Sequence, residues 1–140
     1  MPIVTIALAT HRDIPDLERR AAAIASRHAV ESLRKRADLT SVLVTRAEPS
    51  AWFVGGPSLA EQGKASVWLE IKVVDGTNTK EEKEGFVAAI FAGFAELLGD
   101  LHPESYVHVH EVSADAYGFG GLTQERRYVA GRLGVDPTPR

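Results

Sequence analysis

LTSVLVTRAEPSAWFVGG, residues 39–56, and ESYVHVHEVSADAYGFGG, residues 104–121, are two versions of one stretch. Laid over each other without a gap, they pair Val42 with Val107, Val44 with Val109 and Ala51 with Ala116. Gly55 and Gly56 fall on Gly120 and Gly121, and the ring of Trp52 falls on that of Tyr117. The alternating valines read as a strand with one buried face, and the paired glycines read as the turn that closes it. Upstream, Ala22-Ala23-Ile24 and Ala88-Ala89-Ile90 stand at nearly the same offset. The chain is therefore read as one strand–helix–strand unit, fused once to a copy of itself.

The flanking segments complete each copy. Residues 3–8 alternate as a strand, with Ile6 and Leu8 on one face and Thr5 and Ala7 on the other. Asp13 and Pro15 supply a cap and a first helical turn, and the helix is expected to run to about Lys35 with Leu17, Ala21, Ile24 and His28 along its inner stripe. A second strand covers 41–47 and a connector 57–65. Residues 66–74 alternate again, with Val67, Leu69, Ile71 and Val73 opposite Trp68, Glu70 and Lys72. Thr79 with Glu82 three residues on forms a capping box for a helix carrying Phe86, Ile90, Phe91, Phe94 and Leu98, which Gly99 ends. A fourth strand spans 105–112.

A strand, a helix and a parallel strand in one sheet connect by a right-handed crossover. Two such units give an α/β fold: a tandem βαβ repeat forming a four-stranded mixed sheet with both helices on one face. Val42, Val44, Val107 and Val109 are expected to point at the helices. The other face then carries Leu43, Thr45, Trp68, Glu70, Lys72, Tyr106, His108 and His110, a mixture of bulky and polar groups that is expected to be covered in an oligomer. The chain reads as a single domain over 1–140, with repeat one about 2–56, repeat two about 66–121 and a C-terminal arm over 122–140.

With 140 residues, one core of this size is what the chain can bury. A net charge of −3 argues against nucleic acid or anionic membrane as partners. With no cysteine there is neither a disulfide nor a thiolate metal site. Without a basic leader or long apolar run the expected location is cytoplasmic.

Pro2 is the candidate chemical group. A small residue after Met1 lets the initiator be removed, which leaves proline as a free secondary amine at the start of a strand. An α-amino group titrates near ~7.7–8.0, and burial disfavours its charged form, so such an amine is poised to move protons near neutral pH. His108 and His110 share a strand face as His-x-His, a geometry open to metal, but no third ligand accompanies them and no metal is assigned. The expected cofactor is none.

Pro2-Ile3, Arg12 in the first turn, Leu39-Thr40-Ser41-Val42 and Tyr117-Gly118-Phe119-Gly120-Gly121 together resemble the tautomerase superfamily, in particular its 4-oxalocrotonate tautomerase-like members of fused, doubled length. The resemblance spans about residues 2–121. It implies a homotrimer and a cofactor-independent tautomerase or isomerase acting on a small enol or 2-oxo carboxylic acid, with Pro2 as general base. It also implies that Trp52 and Tyr117 form an aromatic wall and that Arg12 binds the substrate carboxylate. The strand arginine of the family is replaced by Leu43 and His108, and the turn at 77–79 carries no arginine. His108 is thus a candidate hydrogen-bond donor to an enolate oxygen, and Lys72 a second candidate for the carboxylate. Two alternatives stand beside this reading. One is a hydratase, dehalogenase or decarboxylase in which protonated Pro2 acts as an acid on an unsaturated or 3-oxo acid. The other is a non-catalytic binding module of ferredoxin-like or tautomerase fold.

Overall fold

The structure, a computed structural model, describes residues 2–139; Met1, whose removal the sequence reading expects, lies outside them, as does Arg140. In chain order the elements are β1 (Ile3–Ala9), α1 (Leu17–Glu31), β2 (Ser41–Arg46), α2 (Leu59–Gln62), β3 (Ser66–Val74), α3 (Lys80–Leu98), β4 (Tyr106–Val112), β5 (Gly118–Phe119), β6 (Leu122–Thr123) and α4 (Gln124–Leu133). The four long strands form a mixed sheet in the order β2-β1-β3-β4. Each crossover joins neighbours in parallel, β1 with β2 and β3 with β4, while β1 and β3 run antiparallel at the centre. Because the parallel strands are adjacent, with nothing inserted between them, the split βαβ of a ferredoxin-like module is ruled out.

The central pairing has a two-fold character. Ile3 faces Lys72 and Trp68 faces Ala7, so the two repeats exchange places about one pair, Thr5 against Glu70. Val4, Ile6 and Leu8 from β1 and Val67, Leu69, Ile71 and Val73 from β3 are all nearly inaccessible to solvent beneath the helices. Val42, Val44, Val107 and Val109 pack against the margins of the same core, as their alternation predicts. The bare face carries the expected set, Leu43, Trp68 and Tyr106 being exposed.

The two helices reach similar positions with different side chains. α1 buries Leu17, Ala21, Ala25 and Ala29, whereas α3 buries Phe86, Ile90, Phe94 and Leu98. A slim alanine stripe beside a bulky one keeps the helical layer close-packed. Ile24 and His28, placed on the inner stripe by the sequence reading, instead lie half-buried at the flank beside Gly93 of α3. α1 also starts later than Asp13. Buried Ile14 draws the preceding turn into the core, and Asp16, in left-handed conformation, takes the cap position without a side-chain bond. It ends at Glu31 rather than near Lys35, where Arg34 turns left-handed and the Lys35 amide closes onto the Ala29 carbonyl. The capping box of α3 forms as expected: the Glu82 amide donates to Thr79 Oγ1 at 3.1 Å and the Thr79 amide to Glu82 Oε1 at 2.8 Å.

Two segments are more ordered than expected. The connector at 57–65 contains α2, started by a capping box between Ser58 and Glu61. The arm at 122–140 begins with β6 and α4, whose cap is Thr123. These are the same feature twice. At the constant offset of the repeat, the Leu59 amide bonds to the Trp52 carbonyl as the Gln124 amide bonds to that of Tyr117. Gln62 Nε2 donates to the Val54 carbonyl at 2.9 Å, and Arg127 Nη2 donates to the matching Phe119 carbonyl at 3.0 Å. The duplication therefore runs through the short helix after each hairpin.

Truncating the α3 stripe at Phe94→Ala should destabilise the protein by about 3–5 kcal/mol, read as a lower urea midpoint at unchanged slope. His28 generates a pH effect. Desolvation, together with neighbouring Arg27, holds its pKa below the ordinary 6.5. On acidification the unfolded chain therefore protonates this residue first, and stability falls as pH drops through the interval between the two values. The fall in midpoint between neutral and mildly acidic pH should be smaller in His28→Gln than in the wild type.

Candidate active site

Pro2 extends β1 at its start, where a residue without an N–H disturbs no ladder bond. Its carbonyl accepts the Ser41 amide at 3.2 Å, so the residue is pinned beside the first residue of β2. Pro2 is buried. The antiparallel centre of the sheet puts this end of β1 next to the C-terminal end of β3, and with it the hairpin that follows β4. Gly120 and Gly121 both have positive φ, 61° and 79°, and form the tight two-residue loop between β5 and β6. This hairpin folds over the strand start and encloses a cavity of about 290 Å³ lined by Pro2, Leu39, Ser41, Tyr117, Phe119 and Gln124, among others.

Tyr117 stands in that wall, hydrogen-bonded to the side chain of Gln124; burial pushes its phenol pKa above the usual value, with the Gln124 bond acting the other way. Leu39, Phe119 and Gln124 also line a second, larger cavity of about 610 Å³, bounded further out by Arg36, Val74, Thr77, Glu125, Arg127 and Tyr128. The two spaces therefore adjoin across Leu39, Phe119 and Gln124. Arg36 is already neutralised, with Nε and Nη2 donating to Asp38 at 3.1 and 2.6 Å. Arg127 is held differently. Its guanidinium lies 3.8 Å over the Phe119 ring and Nη2 bonds to the Phe119 carbonyl, while the Nε–H is buried with no acceptor among the described residues. Such an unmade bond costs roughly 1–3 kcal/mol, and more for a charged donor.

Of the residues singled out in the sequence, the fold brings Tyr117 to Pro2 and leaves others apart within one protomer. Trp52 lies at the opposite end of the sheet, in a cavity of about 520 Å³ with Phe53, His102, Glu104 and Tyr106. That cavity is the repeat counterpart of the one at Pro2, and the position matching Pro2 there is Val67, fully buried inside the chain. Arg12 follows the far end of β1, roughly 20 Å or more from Pro2 at ~3.3 Å per strand residue, and its guanidinium covers Gly99. Lys72 stands opposite Ile3 on the bare sheet face, 3.9 Å from Glu70. His108 is on the same face, its Nδ1 3.8 Å from Glu70 and its ring edge-on to His110 at 4.1 Å between centroids. Among the described residues, no group of three side chains is arranged to hold a metal. No helix among them is long and apolar enough to cross a membrane.

Leu39, Phe119, Gln124 and Arg127 are the lining residues that motif reading did not assign. A signal for the last two existed. Extending the 39–56 alignment by a few positions pairs the cap residues Ser58 and Thr123, and with them Gln62 and Arg127.

No protein-family model matches the chain, and no curated protein does. Solved structures do match it closely in shape. Pt0534, in a crystal structure inactivated by 2-oxo-3-pentynoate, superposes with a TM-score of 0.76 at 15% identity, covering 89% of this chain and 98% of its own. The wild-type symmetric trimer of the fused 4-OT Q0 gives 0.75 at 15%, covering 88% and 96%. FG41 malonate semialdehyde decarboxylase, inhibited by 3-bromopropiolate, gives 0.69 at 21%, covering 96% and 99%. The chain has the tautomerase fold that these structures share.

The raised pKa of Tyr117 makes the phenol one of the last to ionise. Followed by phenolate absorbance, Tyr117→Phe should remove a transition lying above the ordinary tyrosine value of ~10. The sign for stability follows: the unfolded phenol loses its proton first, so the wild type loses stability as pH rises through that interval, and the variant less so.

Proposed function

We propose that this chain is a cofactor-independent tautomerase, in which Pro2, exposed as the mature N-terminus by loss of Met1, moves a proton in a small enol or 2-oxo carboxylic acid. The observation that carries the reading is the position of Pro2: a buried strand-start proline in the wall of a cavity closed by Tyr117, Leu39 and Phe119. Burial and the guanidinium of Arg127 in the adjoining space both disfavour an ammonium at that point. A neutral amine is thus favoured, and a neutral amine is a base. In ketonisation it takes the enol O–H proton and returns a proton to the adjacent carbon, leaving the carbonyl; the amine ends as it began. Pt0534, of the same fold, is inactivated by a small 2-oxo acid, which fits a site of this chemistry.

The assembly belongs to the same proposal. Three copies, as in the fused 4-OT trimer, would cover the bare sheet face with its exposed Leu43, Trp68 and Tyr106. Arg12, Trp52, Lys72 and His108 would then act on substrate only where assembly carries them to a neighbour's cavity. The decarboxylase neighbour supports a second reading, protonated Pro2 acting as an acid on an unsaturated or 3-oxo acid.

Ketonisation of phenylenolpyruvate, followed by ultraviolet absorbance, tests the reaction. With intact mass confirming that Met1 is gone, Pro2→Ala should lower kcat/KM by at least about 100-fold at unchanged thermal stability. Undiminished turnover in the variant would exclude the proline as base. The pH profile separates the two readings, because a base gains activity as pH rises through the amine pKa, whereas an acid loses it.

A further inference from the structure

We propose that Arg127, delivered by α4, is the carboxylate-binding residue of the Pro2 site, and that the adjoining cavity takes the apolar remainder of a monocarboxylate substrate. This rests on the reading of Pro2 as the reacting group and adds what that group acts on. The position of the guanidinium is the first ground. Phe119 lines both cavities, and Arg127 is stacked on its ring and bonded to its carbonyl. The charge therefore sits in the larger space, against a ring that forms part of the wall of both.

The second ground is an unfilled valence. Arg127 Nε is buried without an acceptor among the described residues, whereas Arg36 has its fork occupied by the Asp38 carboxylate. Among the described residues the Arg127 guanidinium has no carboxylate counter-ion, and a guanidinium in the wall of a cavity is the group that a ligand carboxylate pairs with, one guanidinium suiting one carboxylate rather than two. The remaining wall of the larger cavity is mainly aliphatic and aromatic, from Leu39, Val74, Ala114, Phe119 and Tyr128, and accommodates an alkyl or aryl tail.

The third ground is the duplication itself. The first repeat makes the same helix-to-hairpin bond with Gln62, a neutral side chain, to the Val54 carbonyl. Holding the hairpin therefore does not require a cation. The charge at position 127 is surplus to the fold and appears in the copy that faces Pro2.

That comparison supplies a conservative test. Arg127→Gln installs the first repeat's own residue, so the hairpin bond has a working counterpart and folding can be checked by thermal melting. Cinnamate, an aryl monocarboxylate with no enolisable centre, is titrated by calorimetry into the full-length wild type, Arg127→Gln, Arg127→Lys and Arg36→Gln, with cinnamamide as the uncharged isostere. Arg127→Gln should weaken cinnamate binding at least tenfold and leave the poor binding of cinnamamide unchanged. Arg127→Lys should recover part of the loss, and Arg36→Gln should change the affinity less than threefold. Equal binding to wild type and Arg127→Gln overturns the proposal, as does a folded wild type that does not bind cinnamate. Because cinnamate has no enol to ketonise, the result is independent of the tautomerisation assigned to Pro2. Arg127-dependent binding in a protein without ketonase activity would remove that reaction and leave the anion site standing.

Discussion

The antiparallel pairing of β1 with β3 is the contact on which the rest of the molecule depends. Each βαβ unit has two strands and one helix, too little to close a core alone. Joined along Ile3–Ala9 and Ser66–Val74, the units pool their inward residues into one sheet under two helices. The same pairing fixes which loops meet. It sets the start of β1 beside the end of β3, so the hairpin of the second repeat, and not that of the first, folds over Pro2. Tyr117 reaches Pro2 for this reason, and Trp52 does not.

The fusion also breaks the symmetry it creates. Two equivalent corners result, one containing a strand-start proline and the other a buried valine, Val67, in mid-chain. At the second corner the lining differs in charge as well as shape: Glu104 stands in it where Leu39 stands at the first, and Gln62 takes the repeat position of Arg127. The strand-start proline is at only one of the two, beside the space that Arg127 lines.

The helical layer carries the same signature of divergence under constraint. α1 has a narrow stripe of alanines where α3 has phenylalanine and isoleucine, and together the two cover the buried row of Val, Ile and Leu on the sheet. Each helix constrains what its partner can be, which is why a volume change on either is felt by both. The bare face opposite has no such layer. Its Glu70, flanked by Lys72 and His108, shows a polar arrangement on a surface otherwise rich in exposed rings.

By itself the sequence determined the order of the four long strands and the two long helices, the mixed sheet, the inward valines, the capping box of α3 and Pro2 as the reactive candidate. All of these rest on local periodicity or on similarity between two stretches of one chain, both visible without coordinates. It missed the start of α1, because the pull of buried Ile14 on the turn before it is a tertiary effect that outweighs Asp13 as a cap. It closed the second repeat too early, although Ser58 and Thr123 marked the continuation. Only the tertiary structure decided which side chains share a space with Pro2. Arg12 and Trp52 match expected positions in sequence yet lie at the other end of a seven-residue strand, while Arg127 arrives from a helix that no motif announced. A strand-start residue meets whatever the sheet topology folds against it, and that topology is settled by pairing between residues from 57 to 69 positions apart in the chain.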